Sequence, residues 1–509
     1  MASALPDLSV ATPGGALLVL AIAIPAAGVL LAVALGSRHA ERIVLAVLPA
    51  ELAIAVAISA KLLATGAPLV TLLGGHRPPL GVALRADGLS AAMMLASVVV
   101  LIAVALFARA DFGTPADRRD ARAPLTFWTM LLAILCALNV VLLAGDLFTL
   151  YVALELLTFA AVPLVCLDGR AETLRAALRY LLFALAGSLF YVAGTALLYG
   201  AYGTLDIPLL ASRARADPAT VAAAALMTGG LLAKTALFPL HLWLPPAHAG
   251  APAAASAVLS ALVVKGSYFI VLRLWLDTLP GVITPLAAQA LGALGAAAIL
   301  FGSTVAILQP RLKLMIAYST VGQIGYLFLL FPLAVGTASA ASAAALTGGL
   351  LQVISHATAK AAMFMAAGLV YAAYGHDRVA DLRGIARELP MTVWAFALSG
   401  IALIGLPPAG GFLAKWLLLS AALSTGQWWW VVVLVVGGLL TACYVFPVLA
   451  RALASGDAAP VRAAVPRSRQ AVVLALAVVS TLAGFAALAP VDLVQAGRPA
   501  MAAGAGPPP

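Results

Sequence analysis

Long apolar stretches alternate with short polar ones from residue 14 to residue 489, and the pattern divides into fourteen segments: 14–36, 43–64, 89–110, 125–145, 147–168, 176–201, 219–242, 252–276, 282–306, 312–334, 341–374, 391–422, 427–452 and 470–489. Each is about 20 residues or longer, which is what a hydrocarbon core of about 30 Å demands of a helix. Segments 341–374 and 391–422 are too long for one straight perpendicular helix, so a tilt or a break is expected in each. The first segment has no basic leader and no evident cleavage site, and is expected to stay as a helix. The pattern therefore predicts an all-α, polytopic membrane protein with about 14 transmembrane helices.

Five of the six lysines interrupt this pattern from within: Lys61, Lys234, Lys265, Lys360 and Lys415. An ammonium at mid-bilayer costs about 2.5–3.5 kcal/mol, so repeated burial requires partners, water or a function. Composition agrees with the class, since 64% hydrophobic and 9% charged residues over 509 positions exceed what a soluble fold could enclose. The net charge of +10 reflects topology rather than nucleic-acid binding, because the basic residues are scattered over short loops. With the N-terminus outside, 18 Lys/Arg fall on the cytoplasmic side and 6 on the other. The positive-inside rule then puts both termini on the outer, periplasmic side of the cell inner membrane. Cys136, Cys166 and Cys443 stand alone within spans, so no metal centre or cofactor is expected, and no segment is long enough for a soluble nucleotide-binding domain.

Several spans carry candidate chemistry. In DLFTLYVALELLTFA, Glu155 lies near the helix midpoint and Asp146 near its end. A buried carboxylate and a buried amine stabilise each other's charged forms, so Glu155 is a natural partner for one of the lysines. Lys234 precedes Pro239, Pro245 and Pro246, which should break the seventh helix beside it. Broken backbone at membrane depth is tolerated only against protein or a water-filled cavity. Lys265 is central in the eighth span, and His356 and Lys360 are four apart on one face of the eleventh, a spacing that suits proton relay. His241 and His248 flank the Pro-Pro turn, where protons could gain access or be gated. Glu51 and Lys61 lie near the ends of the second span and are expected to be structural or snorkelling.

The twelfth span repeats the arrangement of the seventh. Gly405, Pro407, Pro408, Gly410 and Gly411 precede Lys415, and Leu-Ala-Lys occurs at 232–234 and again at 413–415. Spans four to eight and nine to thirteen form two sets of five, with Lys234 and Lys415 each on the fourth helix of its set. An odd number of helices inverts the second set, giving two inverted five-helix repeats with broken helices seven and twelve, a transporter signature. The expected organisation is an N-terminal three-helix segment (1–124), a first half-channel (125–276), a second half-channel (282–452), and a C-terminal helix and tail (453–509).

The sequences around these residues, LELLTFA, AKTALFPLHLWLPPAHAGAP, ALVVKGSYFIVLRL, LKLMIAYSTVGQIGYL, SHATAKAAMFMAAGLVY and LIGLPPAGGFLAKW, resemble the antiporter-like proton-translocating subunits of respiratory complex I, Mrp cation/proton antiporters and membrane-bound hydrogenases over residues 85–455. The resemblance implies that Glu155 and Lys234 are the charge pair of the first half-channel and Lys265 the central lysine. It makes His356 and Lys360 the connecting relay and Lys415 the terminal lysine of the second half-channel. Pro246 stands where complex I subunits commonly carry an aspartate, and the AHAGAP that follows is more similar to hydrogenase-type or Mrp D-type relatives. The long lateral helix of the largest complex I paralogue is not expected.

The expected function is proton translocation through the buried Glu/Lys/His chain, within a larger membrane complex of a complex I-like or hydrogenase-like type. Any redox chemistry would belong to hydrophilic partner subunits. Two alternatives stay open: a Na⁺/H⁺ antiporter subunit of an Mrp-like assembly, and a subunit energising inorganic-carbon uptake beside a carbon-binding partner.

Overall fold

A computed structural model describes residues 10–113, 121–337, 339–455, 461–485, 493 and 496–497. Helix dominates. The chain opens with α1 (Ala16–Leu35) and α2 (Ser37–Thr65), then α3 (Gly88–Phe112), α4 (Arg122–Leu143), α5 (Leu147–Val165), α6 (Ala171–Tyr202), the short α7 (Ile207–Arg213) and α8 (Pro218–Thr235). After α9 (Leu244–Gly250), the eighth span runs through α10 (Ala253–Val258), a π-helical stretch Leu259–Val263, α11 (Val264–Leu272) and a second π stretch Arg273–Thr278. There follow α12 (Pro285–Ile307), α13 (Leu312–Phe328), α14 (Leu330–Ala334), α15 (Ser339–Tyr374), α16 (Ile385–Glu388), α17 (Pro390–Ile404), α18 (Gly410–Ser424), α19 (Trp428–Leu453) and α20 (Arg467–Leu482).

Eleven helical stretches among the described residues are long and apolar enough to cross a membrane. The other three expected spans appear as α8, as the pair α17 and α18, and as α20; residues 486–489 of the last lie outside the described residues. Of the two over-long segments, 341–374 lies within one continuous helix, α15, while 391–422 is broken between Ile404 and Gly410. Proline explains the difference, because Pro407 and Pro408 cannot donate to a helical ladder, and α15 contains none.

Among the described residues, two strands form a ribbon. β1 (Leu69–Leu73) and β2 (Val82–Ala86) pair antiparallel between α2 and α3, Leu69 opposite Ala86. The alternation in VALRA and the Gly74–Gly75 and Pro78–Pro79 turn residues favour such a ribbon.

Lys265 and Lys360 ride on enclosed helices. The stretch Ala253–Thr278 is wholly surrounded by protein and α13 to α15 nearly so, whereas α1 and α19 present most of their surface outward. At one end of the bundle, the segments around Asp111, Asp168, Pro246, Arg311, Asp377 and Arg469 converge on a cavity of about 540 Å³. All of them belong to loops or flanks expected on the same side. At the other end, Arg85 pairs with Asp206 at 2.8 Å, and Arg273 pairs with Asp87 at 2.6 Å and Asp277 at 2.7 Å.

Candidate functional site

The seventh-span break falls earlier than the prolines alone suggest. α8 ends at Thr235, three residues ahead of Phe238, the position that Pro239 disfavours from the helical region. Ala236 makes the turn with φ +59°, the one positive-φ non-glycine residue described. The Trp243 indole then donates to the Ala233 carbonyl at 2.9 Å, which also accepts from the Ala236 N–H at 3.2 Å. Lys234 therefore sits in the last turn of α8, where a helix favours a cation. Its Nζ meets Glu155 Oε1 at 3.1 Å, Thr158 Oγ1 at 2.9 Å and the Leu154 carbonyl at 3.3 Å. Ser188 of α6 also donates to Glu155 Oε1. The two acid-base partners differ in access: 5% of the Lys234 side chain is exposed and 17% of the Glu155 side chain. α6 and α8 come close enough for this because Gly187 and Gly230 face each other; a Cβ on Gly230 would lie 2.2 Å from the Gly187 carbonyl oxygen.

From here hydroxyls lead inward. Thr235 Oγ1 bonds Ser267 Oγ on α11 at 3.0 Å. Two residues earlier on α11, Lys265 is fully buried and its Nζ donates to the Ser260 carbonyl. Ser260 belongs to the π stretch Leu259–Val263, whose wider turn is of the kind that recurs at functional sites. The Ser260 hydroxyl meets Thr320 of α13 at 3.0 Å. His248, on α9, is fully buried, stacked on Phe364 with ring centroids 4.6 Å apart, and neither ring nitrogen has a hydrogen-bond partner. His241 is buried between Phe238 and Phe301. The cavity at this end is lined by Pro246 and Ala249–Ala253 of the His248 segment and by Lys313, whose amine donates to the Ala251 carbonyl.

In the second half, His356 and Lys360 are fully buried one turn apart on α15. Lys360 Nζ bonds Ser319 Oγ and, at 3.1 Å, the Ile316 carbonyl, while both His356 nitrogens lack a partner. Lys415 reaches back across the break to the last carbonyls of α17, Leu403 at 2.8 Å and Ile404 at 3.1 Å, and lies 4.0 Å from the Tyr326 ring centroid. Gly405 makes this approach feasible: it turns the chain with φ +88°, and a Cβ there would lie 2.7 Å from Lys415 Cδ.

Of Glu155, Lys234, Lys265, His356, Lys360 and Lys415, only Glu155 and Lys234 touch directly; Lys265, Lys360 and Lys415 each meet a hydroxyl or backbone carbonyls, and His356 meets neither. Those hydroxyls, Thr158, Ser188, Ser260 and Ser319 among them, escape sequence reasoning because serine and threonine are common in apolar helices. Glu51 and Lys61 part ways in the structure. Lys61 is exposed, whereas Glu51 is fully buried, with Asn139 of α4 donating to it at 2.9 Å. Asp146 is the N-cap of α5, accepting from Thr149 N at 2.8 Å.

A helical bundle that encloses lysines along its middle, with interrupted helices beside two of them, is the build of an antiporter-like membrane subunit. Comparison gives the family: residues 144–441 match the one described as NADH:quinone oxidoreductase/Mrp antiporter, TM, and the chain belongs to it. The chain is 37% identical over 418 residues to an NADH-quinone oxidoreductase subunit N from Desulforudis audaxviator, covering 81% of each. Among solved structures it resembles a chain of the Mrp complex from Dietzia sp. DQ12-45-1b, with TM-score 0.85, 26% identity and coverage of 96% of this chain and 97% of that one. It also resembles a chain of the membrane-bound sulfane sulfur reductase, an archaeal respiratory membrane complex, with TM-score 0.84, 27% identity and coverage of 95% and 96%.

Proposed function

We propose that this chain moves protons along Glu155, Lys234, Lys265, Lys360 and Lys415, with His356 beside Lys360 and His241 and His248 near the points of access. The observation that carries the reading is the Glu155–Lys234 pair, an acid and a buried amine in contact at 3.1 Å at the end of an interrupted helix. Residues 125–276 and 282–452 act as two inverted half-channels, each with its broken helix and lysine, and 1–124 and 453–509 flank them. Both termini lie on the periplasmic side, and the cavity by Lys313 opens to the cytoplasm. A proton leaving one lysine changes the field felt by the next, and one unit of pKa shift corresponds to about 1.4 kcal/mol, so a neighbouring charge suffices to drive the next transfer. The partners are further membrane subunits of the same complex, with any redox or carbon-binding work done by hydrophilic subunits.

The test is Glu155→Gln in the complex isolated from its own membranes and reconstituted into liposomes. Proton flux under an imposed valinomycin potential should fall to background with the subunit still assembled. Parental flux would refute the reading. The likeness to a chain of an Mrp complex supports a second passenger, Na⁺ exchanged for H⁺; ²²Na⁺ uptake against an imposed pH gradient, lost in the same variant, would decide for it.

A further inference from the structure

Lys360 has two polar neighbours through which a proton could leave, and hydrogen bonds lead through only one. His356, a turn away on α15, meets no hydrogen-bond partner at either nitrogen. Ser319 accepts from Lys360 Nζ and donates to the Tyr444 hydroxyl at 2.8 Å. Thr441 lies one turn before Tyr444 on α19, and Gln323 Nε2 donates to the Thr441 hydroxyl at 3.4 Å. Gln323 Nε2 donates to the Leu403 carbonyl at 3.3 Å, and the same carbonyl receives Lys415 Nζ. The polar groups are stacked by helical periodicity: Ser319 and Gln323 on α13, Thr441 and Tyr444 on α19, each pair on one face. All four are at least 97% buried. They thus span, from one side of the bundle, the distance between the two lysines of the second half.

We propose that the hydroxyls of Ser319 and Tyr444 carry the proton from Lys360 toward Lys415, an inference that rests on the proton-translocating reading above. A hydroxyl is both donor and acceptor, so it can receive one proton while releasing another. An N–H bond of the Lys360 ammonium breaks as its proton bonds to Ser319 Oγ, and the original Ser319 proton passes to Tyr444 Oη. The original Tyr444 proton passes to a water held by Thr441 and Gln323, which protonates the Lys415 amine. Each proton moves one hydrogen bond, one positive charge crosses, nothing is oxidised, and rotation of the two hydroxyls resets the path. Gln323 is a positioning residue, since its amide holds the Leu403 carbonyl and the Thr441 hydroxyl without itself exchanging a proton.

The test uses the intact complex, with the flux assay described above, on Tyr444→Phe, Ser319→Ala, the double variant, Ser319→Thr and Lys360→Ala. Tyr444→Phe and Ser319→Ala should each lower flux about a hundredfold, the scale of a positioned proton-transfer group. The double variant should be no slower than either single, because both interrupt one series path, and Ser319→Thr should keep flux near parental. A larger kinetic solvent isotope effect in Tyr444→Phe than in the parent would further support the link, since packing loss alone does not change it. Flux within twofold of parental in an assembled Tyr444→Phe variant, with Lys360→Ala inactive, overturns the link and leaves the broader reading standing. Parental flux in Lys360→Ala overturns both.

Discussion

A buried acid and lysine can simply fasten two helices, and the Glu155–Lys234 pair allows that possibility to be set against proton handling in one experiment. Glu155→Leu leaves the Lys234 amine 5% exposed, with Thr158 and the Leu154 carbonyl as its remaining partners. Breaking a buried pair costs about 3–5 kcal/mol, and those two surviving bonds put this variant at the low end, about 3 kcal/mol. Lys234→Met strands a carboxylate that keeps Ser188 as a donor, so the cost is smaller, about 1–2 kcal/mol. Combining them removes both charges at matched volume and should return stability to within about 1 kcal/mol of the parent. The assay is denaturant unfolding of the detergent-solubilised complex, paired with flux from the same preparation. The double variant should be stable, assembled and silent. A double variant that still moves protons at the parental rate would show that the pair is a fastener and would refute the mechanism.

Two further outcomes follow from the geometry. Gly405→Ala should lose about 1–2 kcal/mol from its left-handed backbone alone and should also lower flux, because the added methyl meets Lys415 Cδ. Gly426→Ala is the control: it has φ +71° with open space around it, so unfolding should show the same backbone cost and flux should not change. At the N-terminus of α8, the Thr220 backbone N–H at 2.9 Å, the Thr220 hydroxyl and the Tyr202 hydroxyl hold the Asp217 carboxyl below its ordinary pKa. A lowered folded-state pKa contributes stability that is present above the unfolded value of about 3.9 and is lost as pH falls through the folded value. Melting temperature should therefore drop on acidification below about pH 4, and Asp217→Asn, which can still cap, should show a shallower drop over the same range.

The large features were legible because each violates a rule of apolar helices. A lysine in a run of alanine and leucine is conspicuous, as at Lys265, and so is a proline pair such as Pro407–Pro408. The sequence could not show which atoms those lysines would meet. Ser319 and Tyr444 are 125 positions apart and become neighbours only when α19 packs against α13. The partner of buried Glu51, Asn139, is on another helix and has no mark in the sequence. The π stretches arise from local widening around Lys265 and Arg273 within an otherwise unremarkable apolar run. The exact ends of broken helices also depend on such contacts, as with Trp243 reaching the Ala233 carbonyl.

The hold of Lys415 on α17 has a mechanical side. Its side chain bridges two helix segments through two peptide oxygens and an aromatic face, and all three attractions draw strength from positive charge. The latch between α17 and α18 is therefore tightest while the amine carries its proton and slackens when the proton departs. On the pathway proposed above, each proton that reaches this nitrogen would also stiffen the joint between two helices, and each that leaves would loosen it.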